Sequence, residues 1–82
     1  MNNRFIANVE GIQFEFATMN IRKLQLFQVY VLHEGKRLRF HMQIDSHGKF
    51  KITDREYCPT IFHPLEEALS QTILKETEET AS

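Results

Sequence analysis

The sequence predicts an α+β domain: a mainly antiparallel, five-stranded sheet in meander order, with one C-terminal helix packed on one face. Three observations carry this expectation. Leu38, Phe40, Met42 and Ile44 alternate with Arg37, Arg39, His41, Gln43 and Asp45, the two-residue period of a half-buried strand. Each of the three glycines, Gly11, Gly35 and Gly48, falls between two such runs, where a hairpin turn needs a positive φ. Near the C-terminus Leu65, Ala68, Leu69, Thr72 and Ile73 recur at helical spacing.

The first two strands, Arg4–Val9 and Ile12–Thr18, form a hairpin around Glu10-Gly11. A two-residue loop there sets Val9 opposite Ile12, Ala7 opposite Phe14 and Phe5 opposite Phe16, which sorts the apolar side chains to one face. The connection Met19–Lys23 lacks glycine, and two arrangements fit it. A short hairpin centred on Ile21-Arg22 pairs Phe16 with Phe27 and Phe14 with Val29 and carries the apolar face across five strands. Alternatively, the first two strands stand apart as a ribbon at an edge; the meander is the more economical of the two.

Glu34-Gly35 as a two-residue loop places Val31 opposite Leu38, Val29 opposite Phe40 and Phe27 opposite Met42. At the next turn a two-residue loop, His47-Gly48, would oppose Ile44 to Lys51. A three-residue loop, Ser46-His47-Gly48, opposes Ile44 to Phe50 and Met42 to Ile52, and is the one expected.

After Ile52 the stretch TDREYCPTIFHP has two prolines and no period, and reads as a linker. The helix is expected to start at Pro64, with Glu66 and Glu67 at its positive end. The domain is expected to span residues 1–75, leaving 76–82 as an acidic, flexible tail. The inward apolar set from Phe5 to Ile52 exceeds what one helix ~10 Å wide can cover on strands ~4.8 Å apart. Curling of the sheet, tucking of Tyr57, Ile61 and Phe62 under it, or a second subunit would supply the rest.

With 82 residues, 41% hydrophobic and 26% charged, the chain has the composition of one globular domain. No apolar run approaches the ~20 residues of a membrane helix, and MNNRFIANVEG has no apolar stretch of signal-peptide length, so a cytoplasmic protein without a membrane partner is expected. Cys58 is the single cysteine, which rules out an intrachain disulfide and fits a packing role. Net charge is -1, unevenly spread: residues 1–55 carry nine basic side chains against five acidic, while residues 56–82 carry Lys75 against six acidic.

The residues give little chemistry. His33, His41, His47 and His63 are scattered by the strand pattern, with Cys58 as a further donor, and none stands at metal-site spacing, so no metal or cofactor is expected. There is no glycine-rich phosphate loop, nucleophile elbow or paired carboxylate, and Cys58 with His63 lacks an orienting third group, so the protein is not expected to be an enzyme. Binding is the expected role. One corner of the outer sheet face gathers Ala17, Met19, Leu24 and Leu26; with Leu74, expected to point away from the helix's main apolar face, they form a candidate interface to a second copy or another protein. A homodimer is expected. The alternative is single-stranded nucleic acid held by Tyr30, Lys36, Arg37, Arg39, Lys49 and Lys51. For that reading aromatics are scarce, because seven of nine are Phe and most of these face inward.

Overall fold

The computed structural model describes residues 4–18 and 26–81. Strands β1 (Arg4–Val9), β2 (Ile12–Thr18), β3 (Leu26–His33), β4 (Lys36–Ile44) and β5 (Phe50–Ile52) form one antiparallel sheet in chain order. Short 3-10 turns at Arg55–Tyr57 and Thr60–Leu65 lead to helix α1 (Glu66–Ala81), which packs on one face of the sheet. This is the α+β meander that the sequence predicts.

Turn chemistry sets three of the four registers. Glu10 and Gly11 have φ of 54° and 79°, and Glu34 and Gly35 have φ of 51° and 78°. Two successive positive values make a type I′ turn, whose twist matches that of the flanking strands. Val9 therefore faces Ile12 and Val31 faces Leu38, as expected. The longer loop also behaves as expected. The Asp45 N–H donates to the Lys49 carbonyl at 2.8 Å, and Ile44 faces Phe50.

The β2–β3 register differs from the expected one by two residues: Phe14 faces Val31 and Phe16 faces Val29, where Val29 and Phe27 were expected. Residues 19–25 contain no glycine, so nothing there favours a two-residue turn at Ile21-Arg22. An even shift keeps every side chain on its own face, so the core survives while lateral neighbours on the outer face change. The sheet is continuous through β1, and the separate ribbon is not formed.

Phe14, Phe16, Val29, Phe40 and Met42 are fully buried under Leu69 and Ile73 of α1. Rings interlock across strands: Phe5 stacks on Phe16 at 4.7 Å, and Phe27 meets Phe50 edge-on at 5.4 Å. The linker supplies the remaining cover. Phe62 lies edge-on to Phe14 at 5.6 Å and to His33 at 5.3 Å, and Cys58 is buried beside this cluster. Tyr57 and Ile61, also expected to tuck in, face solvent. The Phe-rich face thus closes within one chain, and the shortage of cover read from the sequence is made good without a second subunit.

Two expectations for the helix need correction. It starts at Glu66, with Pro64 inside the preceding 3-10 turn, and it runs through Ala81 instead of giving way to a tail after residue 75. No Gly or Pro follows Pro64 to stop it. Leu74 does not point away; it is half-buried and packs against the core.

Candidate functional site

With α1 on one face, the opposite face of the sheet is the candidate surface. The observed register builds it in rows: Ile6, Glu15, Tyr30 and Arg39 in one, and Arg4, Ala17, Gln28 and His41 in the next. Asn8 faces Gln13 on β1–β2, Leu32 faces Arg37 on β3–β4, and Leu26, Gln43 and Lys51 form a further row. Alternation along each strand, the same pattern that fills the core, puts these residues outward.

A polar cluster occupies the middle. Glu15 pairs with both Arg4 and Arg37, the latter at 3.2 Å. The Arg37 guanidinium lies 4.5 Å from the centre of the Tyr30 ring, and the Tyr30 hydroxyl donates to Gln28 Oε1 at 2.6 Å. Tyr30 is therefore overlaid by a cation and tied down by its hydroxyl. Beside it, Gln13, Glu15, Tyr30, Val31, Leu32 and Arg37 line an open depression of ≈ 310 Å³. Ile6 and Leu32 stand out of this face, 61% and 69% exposed.

Of the five residues of the expected apolar interface, the structure describes three, Ala17, Leu26 and Leu74. Met19 and Leu24 lie outside the described residues. Ala17 is buried between Arg4 and Gln28, Leu26 is half-buried, and Leu74 is on the far side of the sheet in the core. Ala17 and Leu26 were directly opposite in the expected register; the two-residue shift makes them diagonal neighbours. Sequence reasoning gave less weight to Ile6 and Leu32, although the strand period had already turned both outward.

The basic set is also divided. Tyr30, Arg37 and Arg39 share the outer face, and Arg39 makes no ion pair among the described residues. Lys36 sits at the β3–β4 turn opposite His33. Lys49 and Lys51 lie at the far edge, where Lys51 pairs with Glu66 at 3.8 Å.

His41 and His63 are engaged in structure. Asp54 accepts the His41 backbone N–H at 2.8 Å and the His41 Nδ1–H at 2.9 Å, pinning the chain after β5 to β4. His63 Nε2 lies 2.9 Å from the Cys58 carbonyl and 3.2 Å from that of Arg55, so it carries the proton and donates to backbone, not to the Cys58 thiol. Burial, with the nearby Asp54 charge, pushes that thiol up to about 11, which keeps it protonated and unreactive at neutral pH. Among the described residues no three His, Cys, Asp or Glu side chains converge as metal ligands, and no helix is long and apolar enough to cross a membrane. Comparison with protein-family models, curated proteins and solved structures finds no match.

Proposed function

We propose that this protein works by binding other protein, a second copy of itself included, and not by catalysis, with the outer sheet face as its working surface. The observation that supports this reading most is the exposure of Ile6 and Leu32 on a face rich in Arg, Gln and Tyr. Large apolar groups framed by arginine and tyrosine have the make-up of a protein interface, where such anchors supply most of the binding energy. Leu32 beside the Tyr30–Arg37 depression is the anchor point. The pairing of His41 with Asp54 and the protonated Cys58 thiol argue against a nucleophile or base at this surface.

A second reading, single-stranded nucleic acid, draws on Arg37 and Arg39 flanking Tyr30. It is the weaker one, because Arg37 already covers the ring and Glu15 offsets two of the cations.

Two binding assays test the reading. Peptides selected from a display library on the wild-type protein are expected to bind Leu32→Glu at least about tenfold more weakly, a loss of ~1.4 kcal/mol. Mixed single-stranded oligonucleotides are expected to show no salt-sensitive retention. Retention that falls steeply with salt and disappears when Arg37, Arg39 and Lys51 become Ala would replace protein by nucleic acid.

A further inference from the structure

We infer that β1 is the edge through which two copies of this chain join, their sheets continuing antiparallel across a two-fold axis at Ala7. The inference deepens the protein-binding reading and rests on it.

The two edges of the sheet differ. At β5, the outward N–H groups of Phe50 and Ile52 donate to Ser70 Oγ and Glu66 Oε2, each at 2.8 Å, so that edge is closed to another strand. At β1, among the described residues, a strand neighbour is present on one side only. Its hydrogen-bond phase follows from the type I′ turn at Glu10-Gly11, which makes Val9 and Ile12 a hydrogen-bonded pair. Val9, Ala7 and Phe5 therefore spend their backbone groups on β2, and Ile6 and Asn8 direct theirs outward. Both residues are exposed. The run RFIANV has no proline and no lysine, and its single charge, Arg4, stands at its start.

A second copy fits this edge because the strand is complementary to itself. A two-fold axis at Ala7 sets Ile6 opposite Asn8 of the second copy, making about four backbone hydrogen bonds. Ala7 meets its own counterpart at the non-hydrogen-bonded site, where Cα atoms approach to ~4.5 Å and a small side chain is suited. On the inner side Phe5 comes opposite Val9, and at both ends of the joint Arg4 comes level with Glu10 in the other copy's turn, which brings opposite charges near each other. The two outer faces then become one continuous surface.

The test uses sedimentation equilibrium at about 100 μM, together with two variants. The expected wild-type mass is near twice that of the 9.7 kDa chain. Asn8→Pro removes an outward N–H while sparing the β1–β2 ladder, and is expected to stay folded by circular dichroism but to dissociate at least about tenfold more readily. Ala7→Cys is expected to oxidise to a cross-linked dimer, and Ile6→Cys, which faces Asn8, is not. A monomeric wild type, or a dimer that forms no Ala7→Cys cross-link, overturns the inference. Should Asn8→Pro unfold, the cross-link comparison still decides it. Either failure leaves the peptide and oligonucleotide assays to judge the protein-binding reading separately.

Discussion

The Ser70 hydroxyl accepts the Phe50 N–H at 2.8 Å, with both residues buried where water cannot replace either. One side chain thus locks helix to sheet and closes an edge strand. Ser70→Ala would leave a buried donor unsatisfied and is expected to cost about 1–3 kcal/mol in urea unfolding. The same substitution on an exposed turn of the helix, Gln71→Ala, should change stability by less than ~0.5 kcal/mol.

Phe62 covers the corner at Phe14 and His33 that α1 leaves open. Phe62→Ala is expected to lose roughly 3–5 kcal/mol, the usual cost of emptying an aromatic site in a core. Its neighbour Ile61 is exposed, so Ile61→Ala should fall within ~0.5 kcal/mol of wild type. Equal losses at the two positions would mean that the linker packs differently.

Glu34 occupies the first position of a type I′ turn with a φ of 51°, a conformation that disfavours a side chain without a short polar group. Glu34→Asn is expected to raise stability by about 0.5–1 kcal/mol, because Asn-Gly is the preferred pair for this turn. Gly35→Ala, at a φ of 78°, should lower it by more than that. Thermal unfolding of the two variants checks both signs.

Two groups set pH dependence in opposite directions. Lys49 and His47 backbone N–H groups hold the Asp45 carboxyl below its usual range, so the charged loop favours the folded state above the ordinary carboxylate pKa. That contribution is lost as pH falls through the lowered value, and Asp45→Asn should flatten the acid limb of stability. The buried Cys58 thiol, raised to about 11, behaves inversely: its contribution is complete below the unfolded thiol's pKa and drains away as pH climbs toward the folded one. Cys58→Ala should remove that alkaline decline, and alkylation of wild-type Cys58 at neutral pH should be slow until the chain is unfolded.

The faces of the sheet were legible because period-two alternation and the glycine turns point to one register at three hairpins. Residues 19–25 offer no glycine to fix a turn, and the β2–β3 register was misplaced by two positions. That single shift sets Ala17 opposite Gln28 instead of Leu26. Phe62 could not be told from Tyr57 and Ile61, because the linker has no period to say which side chain faces in. In the sequence Glu66 reads only as an acid at the positive end of the helix, and Ser70 carries no signal of its own; their role at β5 depends on where the helix crosses the sheet. The overlay of Arg37 on Tyr30 rests on a side-chain conformation, which strand alternation does not specify.

The most direct measurement of the central claim is a dilution series of two-dimensional amide spectra from about 1 mM to about 10 μM, a range that brackets a micromolar equilibrium. Concentration-dependent shifts are expected at Ile6 and Asn8, extending over the outer face through Glu15. Spectra that do not change on dilution, or shifts confined to the exposed side of α1 at Glu67, Gln71 and Lys75, would contradict it.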